Sequence, residues 1–355
     1  MSETGRSASA LRVEPSRMRY RAMIGTGGIG SGVFFLVNGN ETIGREESRG
    51  GRFLDRRDYC KLHIISHYVQ TLLGPAFETV PVGMVGEDDV GAKLLAEMAE
   101  AGMQMRHVAR SSGDPTLYSF CFVYPDGSGG NLTTDDSASS RVDAAFVQRT
   151  EPEFARYASA GIALAAPEVS LDARRAVLEL GTRHRFLRVA SFTAEEMATA
   201  VSGGLLEKCD LLAINVSEAA AAAGFPPGGD EPPDQVAAAA VERLSQANPR
   251  LLISITAGER GSWSWDGTSL VHVPRCQAPV VGTAGAGDAY LSGLIVGIAA
   301  GLELRDGHQL AALVAGLSVT SPHTINKEIG RESLRAFAGE SGLPIGHAVR
   351  SLMEA

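Results

Sequence analysis

The sequence predicts an α/β fold: a central, mostly parallel sheet with helices on both faces and a small β lid. Three observations lead there. Late in the chain, short apolar runs (GIALAA, FLRVAS, CDLLAIN, RLLISITAG) alternate with amphipathic stretches of helical period. Strands that are apolar throughout are buried on both faces, which calls for a parallel sheet covered by helices on each side. The earlier part of the chain breaks that rhythm with turns and aromatic runs, which fit a small separate sheet.

In order, MRYRAMIG is a first strand that runs into glycines. VFFLV, the Asn38-Gly39 turn and ETIGREESR read as strand, turn and polar strand. YCKLHIISHYVQTLLG is a helix with Ile65, Tyr68, Val69 and Leu72 on one face and Gly74 as its stop. ETVPVGMVG is a strand. EDDVGAKLLAEMAEAGM is a helix with acids in its first turn, an apolar stripe of Val90, Leu94, Leu95 and Met98, and a stop at Gly102. TLYSFCFVYPDGSGGNLTT is a strand with a glycine-rich turn, and residues 126–136 within it are a candidate lid element or a solvated loop. SLDARRAVLELGTR, TAEEMATAV, VSEAAAAAG and QVAAAAVERLSQ are helices among the four apolar strands. GSWSWDGTSLVHVP is a hairpin around Asp266-Gly267, and GHQLAALVAGLSVT is a late helix. This divides the chain into a disordered polar tail (1–17), one large domain (18–330, lid strands from about 33–58 and 112–135) and a helical segment (331–355).

Hydrophobic residues make up 44% and charged residues 21%, ordinary for a soluble globular protein. A net charge of −9 argues against a general binder of nucleic acid or anionic membrane, yet leaves room for a local anion site. Cys60, Cys121, Cys209 and Cys276 have neither C-x-x-C nor zinc spacing and read as reduced thiols of a cytoplasmic protein. The polar first 17 residues hold no apolar signal region, and no apolar run is long enough to cross a membrane.

Two glycine-rich stretches compete for a phosphate. GTGGIG (Gly25 to Gly30) matches G-x-G-x-x-G, but SGVFFLVNGN follows it, and that reads as strand where a dinucleotide site needs a helix. A glycine-lined strand end is the reading preferred here. The second stretch, Gly285-Ala286-Gly287-Asp288, runs into AYLSGLIVGIAAG, a credible helix. Its first N–H groups lack intrahelical partners and its dipole favours negative charge, so the turn is a candidate phosphoryl cradle. On these residues alone a tight strand-to-helix turn, with Asp288 as a helix-start residue, remains equally open. The same helix start is expected to favour ionised Asp288, a carboxylate able to take a proton from an attacking hydroxyl. No G-x-x-x-x-G-K-[ST] loop occurs.

Gly282-Thr283-Ala284-Gly285-Ala286-Gly287-Asp288 resembles the D-T-x-G-A-G-D hallmark of the ribokinase-like (PfkB) carbohydrate kinases. VGEDDVGAKLLAEMAEAGM, CDLLAINVSEAAAAAG, ITAGERGSW and LAALVAGLSVTSPHT resemble further segments of that family, in its order. The resemblance implies transfer of the ATP γ-phosphoryl to a hydroxymethyl group of a sugar or similar alcohol. It implies Asp288 as catalytic base and Gly285, Ala286 and Gly287 as the anion hole. Asn215 and Glu218 would place Mg²⁺ and phosphate through water, which suits an ion that keeps most of its hydration. Thr256, Gly258, Gly261 and Thr283 would line the nucleotide. On the residues alone, Asn215 and Glu218 read as a helix cap with an acidic first turn.

The departures fall on the acceptor side. The family's aspartate after the first strand is missing from GTGGIGSG, which leaves Gly28 and Ser31 as candidate substrate contacts. Its G-G-x-x-x-N segment is replaced by CKLHII. The hallmark's first aspartate is Gly282, so the position gives no support to activation by a monovalent cation. The alternative is a regulatory relative that binds nucleotide or sugar with little or no transfer. A small-molecule acceptor and a possible homodimer are the expected partners. His63 and His67, four apart, read as a polar helix face rather than a metal pair.

Overall fold

The computed structural model describes residues 9–226 and 228–354. Its strands are β1 (Ala22–Thr26), β2 (Gly30–Val37), β3 (Gly51–Tyr59), β4 (Glu78–Gly86), β5 (His107–Ser111), β6 (Leu117–Val123), β7 (Gly129–Thr133), β8 (Gly161–Ala165), β9 (Leu187–Ala190), β10 (Leu211–Asn215), β11 (Leu252–Thr256), β12 (Ser262–Trp265) and β13 (Leu270–Val273). Nine of them form one sheet in the order β13-β12-β11-β10-β9-β8-β1-β4-β5. The strands from β11 to β5 are parallel, and β12 and β13 turn back antiparallel about the expected Asp266-Gly267 hairpin.

The helices are α1 (Lys61–Leu73), α2 (Asp89–Glu100), α3 (Ala144–Gln148), α4 (Glu151–Arg156), α5 (Leu171–Arg183), α6 (Ala194–Ser202), α7 (Val216–Ala223), α8 (Pro233–Ala247), α9 (Ala286–Ala299), α10 (Leu304–Ser318), α11 (Arg331–Glu340) and α12 (His347–Met353). They cover both faces because successive strand residues point to opposite sides. Met23, Leu164 and Leu211 enter a core shared with α1, α2 and α9 to α12. Their neighbours Ile24, Ala163 and Leu212 enter a second core shared with α3 to α8. The caps agree with the expected boundaries: the Asp88 side chain accepts from the Gly91 N–H at the start of α2, and Gly74 ends α1 at φ +70°.

The lid is a separate sheet, ordered β3-β2-β6-β7. The partner of VFFLV is not ETIGREESR but Gly51–Tyr59. The charged stretch closes on itself, with the Gly44 N–H donating to Glu47 Oε2 at 2.8 Å, whereas Phe53 and Leu54 bring the apolar area a strand partner needs. One lid face is buried and carries Phe34, Asp58, Ser119 and Cys121. The other shows Phe35, Phe53 and Phe120, with ring centroids 5.2 to 6.4 Å apart.

Residues 9–17, read from the sequence as part of the tail, lie against the body. Leu11 is buried, its N–H donates to Leu72 O and that of Arg12 to Leu352 O. The rest of that tail, residues 1–8, lies outside the described residues. The edge strand β5 and the short helices α3 and α4 carry too little periodicity to be foreseen. The four cysteines are free and buried. Among the described residues no helix is long and apolar enough to cross a membrane.

Candidate active site

The chain enters α9 through Gly285, at φ +78°. A Cβ there would be strained and would come within 2.8 Å of Thr324 O, so this turn requires glycine. The first intrahelical bond runs from the Ala289 N–H to Gly285 O. The Ala286 N–H turns back to Thr283 O at 3.2 Å, and those of Gly285, Gly287 and Asp288 have no partner among the described residues. The open donors are therefore Gly285, Gly287 and Asp288, with Ala286 engaged inside the turn.

These groups face a cavity of about 650 Å³ at the carboxyl ends of β10 and β11, where a parallel sheet collects its ligands. Asp288, Gly285, Ala286, Gly287 and Thr283 line one wall, and Asn215, Glu218, Thr256, Gly258 and Gly261 line another. Gly258 and Gly261 have φ of +52° and +81°, a turn that presents bare backbone. Ala312, Ala315 and Gly316 of α10 add a small-residue surface to the lining.

The structure adds two charged groups that the motifs did not point to. Lys61, the first residue of α1, puts Nζ 3.9 Å from Asp288 Oδ1. Glu168, just past β8 with φ +77°, accepts from the Lys61 N–H at 3.2 Å. Asp288 first, and then Glu168 and Glu218, push the Lys61 pKa up against the effect of burial, so it stays an ammonium. Burial raises the Asp288 pKa even though Lys61 lowers it. Burial thus works against the ionised form that the helix start is expected to favour. A carboxylate with a raised pKa is the stronger base.

Burial pushes the Glu168 carboxyl up to about 7, with Lys61 opposing. A carboxyl that holds its proton more tightly when folded makes the fold more stable below its ordinary pKa, and that advantage is lost as pH rises through the folded value. The ligand-free wild type is expected to lose up to about 3 kcal/mol from this group between pH 4.5 and 8. Glu168→Gln keeps the acceptor oxygen and removes the titration. Melting curves across that range should fall less steeply for the variant, and parallel curves would refute the assignment.

Asn215 and Glu218 form a reciprocal cap on α7. The Asn215 N–H donates to Glu218 Oε2 at 2.8 Å, and the Glu218 N–H to Asn215 Oδ1 at 2.9 Å. The cap reading is therefore realised, and it holds the Glu218 carboxylate at the cavity wall. Among the described residues no cluster of three acidic, histidine or cysteine side chains could cage a metal. A sparse set of hard carboxylate oxygens instead fits a hydrated Mg²⁺ that arrives on phosphates. The carboxyls of Asp288, Glu168 and Glu218 outnumber the Lys61 ammonium they act on.

Gly28 and Ser31 lie outside this cavity wall. Gly28 is closed over by Glu168 and Leu117, and the Ser31 hydroxyl donates to Asp58 O at 3.2 Å. The lid is tied to the α9 turn through Thr324, which abuts Gly285. The Thr324 N–H donates to Arg57 O, and its Oγ1 accepts from the Tyr59 N–H at 3.0 Å. His63 and His67 are not a polar face: both are buried, which lowers the His63 pKa well below the usual value and that of His67 to about 4.

The profile of the pfkB family carbohydrate kinases matches residues 66–329, more than half of the chain. The chain belongs to that family. This pfkB protein is 27% identical over 254 residues to a ribokinase from Schizosaccharomyces pombe, an alignment covering 71% of this chain and 77% of that one. Its fold is similar to that of a ribokinase from Giardia lamblia, with TM-score 0.72 and 19% identity over 90% of this chain and 99% of that chain. A ribokinase from Cryptococcus neoformans var. grubii, solved with ADP, gives TM-score 0.70 and 16% identity over 90% and 99%. The ribokinase-like architecture, a helix-covered sheet with a small β lid, is thus shared.

Proposed function

We propose that this pfkB protein transfers the γ-phosphoryl group of ATP to a hydroxymethyl group of a small sugar or sugar-like alcohol. The observation that carries this is Asp288 at the cavity wall, beside unpartnered N–H groups and 3.9 Å from Lys61. Asp288 takes the acceptor's hydroxyl proton as the new O–P bond forms. The bond from the γ-phosphorus to the bridging oxygen breaks, and ADP leaves. The Gly285, Gly287 and Asp288 N–H groups and the Lys61 ammonium balance charge on the moving group. Mg²⁺ bound with the nucleotide, held at Glu218 through water with Asn215 fixing that carboxylate, would neutralise phosphate charge. Asn215, Glu218, Thr256, Gly258, Gly261 and Thr283, which line the same cavity as Asp288, are the nucleotide side on this reading. Gly282 leaves the loop without the carboxylate a monovalent cation would use. The test is acceptor-dependent ADP release across neutral sugars, polyols and nucleosides. Nucleotide binding with no transfer to any of them would favour the regulatory alternative.

The free cysteines suit a cytoplasmic protein, and the net charge of −9 disfavours nucleic-acid and anionic-membrane partners. For assembly we propose a homodimer through the lid. Phe53 is 65% and Leu132 64% exposed on the same sheet face, between two open strand edges. Phe53→Ser is expected to yield a monomer by light scattering while the wild type is a dimer. A monomeric wild type would overturn this.

A further inference from the structure

Glycines alternate at 28, 30 and 32 where the chain crosses from β1 into the lid, and each leaves space that another side chain fills. A Cβ at Gly28 would lie 2.4 Å from Glu168 Oε2, and one at Gly30 2.8 Å from Cys60 Sγ. At Gly32 it would lie 2.0 Å from Ser119 Oγ and 2.8 Å from Asp58 Oδ2. Two acids from elsewhere in the chain therefore lie against this segment. Glu168 comes from the end of β8. Asp58 comes from β3, opposite Gly32 in the register, and is only 7% exposed.

Asp58 is anchored through one oxygen. The Ser119 hydroxyl donates to Oδ2, and the Cys121 thiol reaches the same atom at 3.4 Å. Oδ1 takes no hydrogen bond from another side chain among the described residues. Three residues on, Lys61 meets Asp288. Asp58 lies within the field of both: Lys61 opposes the rise in the Asp58 pKa that burial causes, and the Asp58 charge helps raise that of Asp288. Yet Asp58 is not part of the nucleotide cavity wall. It belongs to the buried face of the lid itself.

We propose that Asp58 reads the acceptor, taking hydrogen bonds from its hydroxyls at Oδ1, so that the lid selects an uncharged polyol over sugar acids and sugar phosphates. This rests on the kinase reading above. A carboxylate only accepts hydrogen bonds, so its ligand must donate them. Hydroxyls do. Ionised carboxylates and phosphates do not, and they are repelled where Asp58 and Asp288 outnumber Lys61 in a poorly hydrated space.

Asp58→Asn keeps the shape and tests the charge. With neutral acceptors such as D-ribose, ribitol and adenosine, it should raise the acceptor KM about tenfold or more and leave the ATP KM within about twofold. The wild type should favour these acceptors over D-gluconate and D-ribose 5-phosphate by about tenfold or more, and the variant should narrow that gap. Ser119→Ala, which frees the anchored oxygen, should raise the acceptor KM less, and it covers a folding failure of the first variant. An unchanged acceptor KM in Asp58→Asn, or an anionic best acceptor for the wild type, overturns the proposal. Should the wild type transfer to no acceptor, the kinase reading fails by itself. Calorimetric titration of the same acceptors into wild type and Asp58→Asn then decides the Asp58 assignment, equal affinities overturning it.

Discussion

Asp288→Asn is expected to lower acceptor-dependent ADP release by about 10²- to 10⁴-fold, the usual range for removing a general base. The amide has nearly the same shape and cannot accept the hydroxyl proton at neutral pH. Nucleotide affinity should change little, because the open N–H groups at Gly285 and Gly287 remain. Stability should not fall, because burial already penalises the ionised carboxyl and the substitution removes that charge. Melting temperature and ADP-release rate, measured together, separate this outcome from simple misfolding. Equal turnover by the two proteins would remove Asp288 from the chemistry.

Lys61→Met carries the second large effect. Its ammonium is the group that lowers the Asp288 pKa, and it stands where charge on the moving phosphoryl can be met. Its loss should cost about 10²- to 10³-fold in kcat/KM, as for other donors to a developing anion. The pH dependence gives a signature that a merely structural role would not. Asp288 must be ionised to act as base. Removing Lys61 leaves burial and Asp58 to raise its pKa unopposed, so the acidic limb of the kcat/KM profile should move to higher pH. A limb that stays in place while activity drops would mean that Lys61 acts on the phosphate alone.

The sheet, its two coats of helices and the glycine turn into α9 were legible in the sequence because each rests on local pattern, while the role expected of that turn came from the family resemblance. Apolar strands, alternating helices and Gly285-Ala286-Gly287-Asp288 need no knowledge of distant neighbours. Lys61, Glu168 and Asp58 were not legible as a group, because they converge from far apart. Lys61 sits in CKLHII, where neither glycine nor asparagine marks a site. Glu168 follows Pro167 at the end of a strand, and that position at the carboxyl edge of the sheet was the one available signal. Asp58, inside FLDRRDY, looks like one more charge on an exposed strand, and only the register against Gly32 shows otherwise. The same blindness misplaced the strand after Asn38-Gly39: the chain bends there, and the pairing partner begins only at Gly51.

Thr324 grips strand β3 by two hydrogen bonds and stands against Gly285. An outward swing of the clasp must either break those bonds or draw the loop off the glycine turn. On the kinase reading proposed above, unveiling the cleft to solvent would slacken the glycine turn in the same movement, so restraint on futile hydrolysis would follow from that linkage alone.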